Sequence, residues 1–256
     1  KSLSTQAAII QDGYYLYPKE VTFAAYQRVF SGKQLYITYA NTIFRTVVGT
    51  ALTLIVTAMY AYPLSRKTMP HKNFFMKYTI ITMLFSGGTI PIYVVINKLH
   101  LLNNRAVYIL PMLVTAYNVI IMKSFFQSIP DGVVESAKVD GASEFTILFE
   151  IILPLSKAVL ATVGLWVAVA HWNSWFDSML YIDDKNKQVV QLYLQQIVQK
   201  GIMNDLGDGM SDDINVQTAD TIKSATIMVT VLPILCVYPF IQKYFISGVM
   251  LGSVKG

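Results

Sequence analysis

Five long stretches of this chain contain no Asp, Glu, Lys or Arg. They cover residues 46–65, 78–97, 106–122, 158–176 and 224–242. An α-helix needs roughly 20 apolar residues to cross the hydrocarbon core of a bilayer, with a lower limit of about 17. The stretches are continuous rather than alternating, which excludes transmembrane β-strands. We therefore predict an all-α integral membrane protein with five spans in this sequence.

The composition supports a membrane protein and excludes other classes. Of 256 residues, 54% are hydrophobic and only 14% are charged, which is atypical of a soluble domain. The net charge of +5 comes without a basic, aromatic-rich helix, so we predict no nucleic-acid partner. Cationic side chains near lipid headgroups explain the basic excess. A single cysteine, Cys236, and the absence of metal-binding, phosphate-binding and catalytic motifs predict no metal, no ATP site and no catalytic residue in this chain.

A polar stretch, residues 130–154, separates the third and fourth spans. It is too charged to lie in hydrocarbon, because it carries Asp131, Glu135, Lys138, Asp140, Glu144 and Glu150. Ser128, Pro130 and Asp131 predict a helix start. Gly141 predicts a left-handed break, and a second helical run over 143–152 should be stopped by Pro154. From the residues alone, this helix–glycine–helix is either a solvated surface loop or a docking site for a partner.

The same stretch resembles the EAA loop of ABC importer permeases, whose pattern is E-A-A-x-x-D-G followed nine residues later by I-x-L-P. The matching residues are Glu135, Ser136, Ala137, Asp140, Gly141, Ile151, Leu153 and Pro154. Ser136 replaces the first alanine of the pattern, which is a change between two small residues. The resemblance implies that this loop couples the permease to an ATPase subunit. In that role Glu135, Ala137 and Gly141 would dock and turn the coupling helix.

Further motifs resemble the maltose-type (MalG-like) branch of carbohydrate ABC importer permeases. They are F-F-Q-S-I-P, L-P-L-S-K and M-L-F-S-G-G-T-I-P-I-Y, and they suggest the subset that serves complex oligosaccharides, such as alginate- or pectin-derived ones. The end of the chain resembles the ending Q-K-x-F-x-x-G-x-x-x-G-[AS]-V-K-G of these permeases. By that resemblance, Gly252, Lys255 and Gly256 lie at the ATPase interface.

The resemblance implies a type I ABC importer fold and a heteromeric complex. We expect an extracytoplasmic segment over 1–40, a permease domain over 41–256, and one more span before residue 1 in the gene product. The implied partners are a second homologous permease, two ATPase subunits that bind ATP and Mg²⁺, and an extracytoplasmic solute-binding protein. The implied substrate is an oligosaccharide, and membrane lipid surrounds the spans.

The orientation follows partly from charge. The connection 66–72 is basic and holds no acidic residue, which favours the cytoplasmic side, although Lys98 and Arg105 on the opposite face weaken the signal. With the resemblance, we place the coupling loop and the C-terminus in the cytoplasm of a bacterial cell, with the chain in the inner membrane. The connection 177–223, with eight Asp and four Lys, then lies outside. By the resemblance, it faces the solute-binding protein.

The outer end of the fourth span carries a polar and aromatic group, Trp172, Asn173, Trp175 and Asp177. Tryptophans commonly form a belt at lipid headgroups, and such a belt explains Trp172 and Trp175 without any sugar-binding site. Alternatively, the rings stack on a sugar while Asn173 and Asp177 bond to hydroxyl groups. These four residues are therefore our candidates for the substrate pathway.

Two other functions stay open at this point. A secondary transporter of a polar solute should show buried charges in its spans and an internal repeat, and neither is evident. An intramembrane enzyme needs paired catalytic groups at membrane depth, but only His171 and Cys236 are available, on different spans. Co-purification with an ATPase separates the importer from both.

Overall fold

The structure is a computed structural model that describes residues 2–4, 21–207, 221–233 and 235–236, with the backbone alone over 200–207. In that part of the chain, all regular elements are helices, apart from one isolated bridge between Ser4 and Val21. The chain divides into two compact units, residues 1–43 with 172–238 and residues 44–171 with 239–256. The all-α prediction is confirmed.

We number the α-helices in chain order. They are α1 Ala24–Ser31, α2 Lys33–Ser65, α3 Lys72–Leu84, α4 Thr89–Lys98, α5 Ala116–Ser128, α6 Asp131–Val139, α7 Glu144–Leu155, α8 Lys157–Asn173, α9 Phe176–Tyr181, α10 Val190–Gly207 and α11 Thr221–Pro233. Short 3₁₀ turns cover Arg105–Tyr108, Leu110–Met112 and Lys185–Lys187, and the central part of α7, Ile147–Ile152, is a π-helix.

Among the described residues, α2 is the one helix long and apolar enough to cross a bilayer unbroken. Its 33 residues correspond to about 50 Å of helix. Three further candidate spans are bent pairs: α3 with α4 at 115°, Arg105–Met112 with α5 at 52°, and α7 with α8 at 85°. The predicted spans 78–97 and 106–122 each fall on one of these bent pairs. The last predicted span, 224–242, lies only partly within the described residues.

Glycine and proline produce the sharpest break, between α3 and α4. Gly88 has a φ of +83°, a conformation that is strained for any other residue, and it immediately precedes α4. Pro91 follows in the first turn of α4, where its missing N–H leaves no hydrogen bond unmade. Both residues belong to the motif M-L-F-S-G-G-T-I-P-I-Y, which indicates the family but not the size of the bend.

The helix α2 begins at Lys33, thirteen residues before the predicted span 46–65. Arg45 is fully buried in the unit formed by 44–171. Its guanidinium lies 4.9 Å from the centroid of the Tyr108 ring, and its Nε donates to Nδ1 of His171 over 3.4 Å. A charge that is held by protein groups does not end an apolar helix, and a count of charges along the sequence misses this.

The core of the unit 44–171 joins α2, α5, α6, α7 and α8. Its buried side chains include Tyr62, Phe126, Val134, Ile147 and Val163. The helices α2 and α8 approach closely through two glycines. A β-carbon at Gly164 would lie 3.2 Å from Cδ1 of Leu54, and one at Gly49 would lie 2.6 Å from Nε2 of His171. Small residues at helix crossings are the usual means of close packing in membranes.

In the other unit, the connection 177–223 is partly helical rather than an open loop. Its helix α10 begins at Val190, which is fully buried beside Leu35 and Ala225. The side chain of Asn41 donates to the carbonyls of Asn186 and Gln188 over 2.8 and 2.9 Å. These bonds attach the start of the connection to α2.

Candidate functional site

The turn after α6 is a Schellman motif. Gly141 has a φ of +81°, its N–H donates to the carbonyl of Lys138 over 3.0 Å, and the N–H of Ala142 donates to that of Ala137 over 2.9 Å. A β-carbon at Gly141 would meet nothing within 4 Å, so the positive φ and not a lack of space requires glycine. The predicted break at Gly141 is confirmed.

The second helix of the segment starts where the sequence predicted. Ser143 caps α7, because its Oγ accepts a hydrogen bond from the N–H of Thr146 over 3.1 Å. The helix ends at Leu155, one residue beyond Pro154. Pro154 has no N–H to donate, and the π-helical turn of α7 directly precedes it. The segment is therefore a helix–glycine–helix with both ends defined by local chemistry.

The helix α6 has an inner and an outer face. Val134 and Ala137 are buried in the core of the unit 44–171. Glu135, Ser136 and Asp140 are exposed. Ala137, which the resemblance grouped with Glu135 for docking, lies one helical turn past Val134, so its side chain is on the same inward side. On the opposite side of α6, Val139 is 87% exposed.

The other residues of the EAA-like motif are divided between buried and exposed positions. Ile151 and Leu153 are half-buried and pack against the same core, whereas Pro154 and Gly141 are exposed. Phe145, which the sequence analysis did not single out, is 65% exposed.

A polar network attaches the C-terminal end of α6 to its neighbours. The ammonium of Lys138 lies 2.6 Å from Oε1 of Glu144, and the hydroxyl of Tyr62 donates to Oε2 of Glu144 over 2.7 Å. Glu144 belongs to α7 and Tyr62 to α2, so one carboxylate connects three helices. Nothing in the local sequence indicates this network, since Tyr62 and Glu144 are 82 residues apart.

The N-terminal end of α6 is attached to the residues that follow α2. Asp131 lies 2.9 Å from Nζ of Lys67 and 3.9 Å from Nη1 of Arg66. The hydrogen bond from Lys67 holds the pKa of Asp131 below its usual value, and Asp131 raises the pKa of Lys67. Arg66 also donates to the carbonyl of Phe126 over 3.2 Å. Arg66 and Lys67, the start of the basic run 66–72, are therefore bound to the start of α6 and to the end of α5, in addition to the predicted place of the run at the membrane surface.

The four candidates at the end of α8 lie in the unit that holds residues 172–238, and two of them already have partners. Trp172 donates from Nε1 to the carbonyl of Thr230 over 3.3 Å. Oδ1 of Asp177 accepts from Oγ of Ser174 over 3.0 Å and from the N–H of Ser178 over 2.9 Å. Trp175 is half-buried and Asn173 is exposed. Their role in the substrate pathway stays a prediction.

Two further expectations concern the tail and metal ions. The predicted tail residues Gly252, Lys255 and Gly256 lie outside the described residues. Within the residues that the structure describes, no group of three or more His, Cys, Asp or Glu side chains is arranged to hold a metal ion.

Comparison with known proteins gives the family. The family model described as "Binding-protein-dependent transport system inner membrane component" matches residues 46–251. Protein LplC of Bacillus subtilis (strain 168) is 43% identical over 259 residues, which cover 100% of this chain and 86% of LplC. The polygalacturonan/rhamnogalacturonan transport system permease protein YtcP of the same organism is 40% identical over 260 residues, covering 100% of this chain and 89% of YtcP.

A solved structure agrees with the sequence comparisons. It is the crystal structure of a bacterial ABC transporter involved in the import of the acidic polysaccharide alginate. Its matching chain has a TM-score of 0.84 and is 33% identical, with 95% of this chain and 87% of that chain covered. The chain has the type I ABC importer permease fold, and it belongs to the family of binding-protein-dependent transport system inner membrane components.

Proposed function

We propose that this chain couples the closure of an ATPase to the import of oligosaccharides, through α6. As a permease of its family the chain is a transport component and not an enzyme. The observation that carries the coupling role is the division of α6 into two faces. Val134 and Ala137 are fixed in the permease core, while Glu135, Ser136 and Val139 are presented outward.

The contacts of α6 suggest how a movement would be transmitted. A partner that displaces α6 also displaces the end of α2, because Asp131 is bonded to Lys67 at one end of α6. At the other end, Lys138, Glu144 and Tyr62 form a continuous path to α2 and α7. Since α2 is an unbroken span, a shift at its end reaches deep into the membrane. Packed cores respond to such shifts as rigid bodies rather than by gradual deformation.

The partners follow from the family and from this coupling role. A binding-protein-dependent system requires a solute-binding protein, which we place on the extracytoplasmic side. We propose a second, homologous permease and two ATPase subunits, which bind ATP and Mg²⁺. The outward face of α6 and the tail 252–256 would then lie in the cytoplasm against the ATPases. The helix α10 and the rest of the connection 177–223 would face the solute-binding protein.

The relatives suggest the substrate class. YtcP is named for polygalacturonan and rhamnogalacturonan, and the solved transporter imports alginate. Both groups of polymers contain sugar acids. We therefore propose acidic oligosaccharides as the substrate of this chain.

The experiment is ATP hydrolysis by the purified complex in proteoliposomes. The binding protein is added empty, or loaded with alginate- or pectin-derived oligosaccharides. We expect one loaded form to stimulate hydrolysis and Glu135→Lys to abolish the stimulation by weakening ATPase docking. Glu150→Lys is the matched control, because it makes the same charge change at an exposed residue outside α6. If no ATPase co-purifies and no sugar stimulates, the coupling function is wrong and a secondary transporter takes its place.

A further inference from the structure

A cleft of about 220 Å³ opens in the unit 44–171, between α8 and the start of α5. We call it the Asn118 cleft. Trp166, Ala170 and His171 line it from α8, and Thr115 and Asn118 line it from the other side. At about 30 Å³ per molecule, it has room for roughly seven waters, which corresponds to one sugar ring rather than a chain.

Asn118 gives the cleft an unused polar group. Its side chain is only 7% exposed, and in the described part of the chain it makes no hydrogen bond to another residue. Asn118 lines the cleft, where its amide N–H groups can donate two hydrogen bonds and its oxygen can accept. A ligand hydroxyl, which both donates and accepts, would satisfy this amide.

Trp166 gives the cleft an aromatic wall. It is half-buried, and its ring lies 5.7 Å from that of Tyr117, which packs against it at 41°. A fixed aromatic surface with a few polar groups is the usual make-up of a small-molecule site. Such a surface suits the apolar face of a sugar ring.

His171, which lines the cleft, is hydrogen-bonded to a buried cation. Arg45 is fully buried, always charged, and bonded through Nε to Nδ1 of His171. Gly49 leaves room for the imidazole, since a β-carbon there would lie 2.6 Å from its Nε2. Charged side chains inside membrane spans are costly and mark function more often than architecture. In a medium of low dielectric constant, Arg45 makes the cleft favourable for a negative group.

We propose that the Asn118 cleft is a subsite for one acidic sugar residue of the transported oligosaccharide. Trp166 packs against the ring, Asn118 bonds to its hydroxyls, and the Arg45–His171 pair attracts its carboxylate. This inference rests on the proposed function as an oligosaccharide importer. It adds a determinant of substrate charge within this subunit.

Two substitutions of Asn118 test the proposal in proteoliposomes that contain the whole complex, the binding protein and ATP. Uptake is compared between an alginate-derived oligosaccharide and the same oligosaccharide with its carboxyl groups reduced to alcohols. Asn118→Asp keeps the size and adds a negative charge, so we expect uptake of the acidic sugar to fall about tenfold or more. Uptake of the neutral sugar should fall no more than about twofold. Asn118→Leu should lower both about fivefold, the factor that one lost hydrogen bond gives.

Two further variants keep the test decisive. Asn97→Asp makes the same chemical change at an exposed residue of α4, and it should leave both uptakes unchanged. Ala170→Phe fills the cleft from an exposed position, and it should abolish uptake even if the Asn118 variants fail to assemble. If wild-type complex imports the acidic sugar but the Asn118 and Ala170 variants match it, the subsite is wrong while the importer function stands. If wild-type complex imports neither sugar and its ATPase is not stimulated, the proposed function and the subsite are both wrong.

Discussion

The hydroxyl of Tyr62 donates a 2.7 Å hydrogen bond to Glu144, which joins the last turn of α2 to the first turn of α7. Glu144 also binds Lys138 of α6, so α6 and the long helix α2 share one carboxylate. The link between α2 and α6 thus consists of side-chain contacts. A substitution can therefore remove it without changing any residue on the outward face of α6.

Tyr62→Phe tests that connection. The change removes only the hydroxyl, and the loss of one hydrogen bond to a partly exposed carboxylate costs about 1 kcal/mol. We expect ATPase subunits to bind as before, while sugar imported per ATP hydrolysed falls. The control is Tyr60→Phe, which removes the hydroxyl that contacts Thr79 over 3.0 Å and lies outside the network. Equal coupling ratios in wild type and Tyr62→Phe would contradict this role.

Gly141→Val should disrupt the turn after α6. A β-branched residue at a φ of +81° costs about 1 kcal/mol or more, because its β-carbon meets its own backbone. Gly141→Asn is the matched control, since asparagine tolerates the left-handed region. We expect Gly141→Val to lose co-purifying ATPase and Gly141→Asn to retain it. Full retention by the valine variant would show that the turn is not required for assembly.

The inward and outward faces of α6 should respond differently to the same substitution. Ala137→Leu inserts a larger side chain into the packed core and should cost about 1–3 kcal/mol of stability. Ser136→Leu places the same side chain in solvent and should leave the thermal unfolding midpoint unchanged, while weakening ATPase binding. The midpoint of the purified permease complex and the yield of co-purified ATPase measure the two effects. If Ser136→Leu lowered the midpoint and Ala137→Leu did not, Ser136 rather than Ala137 would face the core, which corresponds to a helix rotated by about 100°.

The ion pair between Asp131 and Lys67 predicts that the stability of the protein falls at low pH. Its pKa is lowered in the folded protein by the hydrogen bond from Lys67, so its contribution to stability is fully present above its usual pKa. The contribution is lost as the pH falls through the lowered value, where the folded state also takes up the proton. Unfolding midpoints between about pH 5 and about pH 3 should fall more for wild type than for Asp131→Asn. Parallel curves would show that the Lys67–Asp131 pair contributes nothing.

Gly49→Ala should disturb the close packing of α2 against α8. The added methyl group would lie 2.6 Å from Nε2 of the buried His171, so the ring or a helix must move, at about 1–3 kcal/mol. Gly132→Ala is the control, because a β-carbon there meets nothing within 4 Å. Thermal unfolding of the complex should show a lower midpoint for Gly49→Ala alone. An unchanged midpoint would mean that His171 can rotate away without loss.

Local features of the fold were predictable from the sequence, and long-range ones were not. Gly141 and Ser143 act through their own backbone neighbourhood, so their turn and cap follow from residue type. The contact between Arg45 and His171 does not follow from residue type, because the two residues are 126 positions apart in the chain. The motif identified the coupling segment, but the inward direction of Ala137 and the bond between Tyr62 and Glu144 depend on tertiary packing. For the same reason, the place of Asn118 in the lining of a cleft does not follow from its position in a short, apolar stretch.

The Schellman turn at Gly141 has a consequence for how the coupling motif tolerates sequence change. Its two closing hydrogen bonds run between backbone atoms of Ala137, Lys138, Gly141 and Ala142, so they survive a side-chain exchange such as serine for alanine at position 136. One residue inserted between Glu135 and Gly141 would instead rotate everything before it by about 100° relative to the turn. We therefore expect substitutions to be common among functional variants of this segment, and insertions or deletions to be lethal to transport.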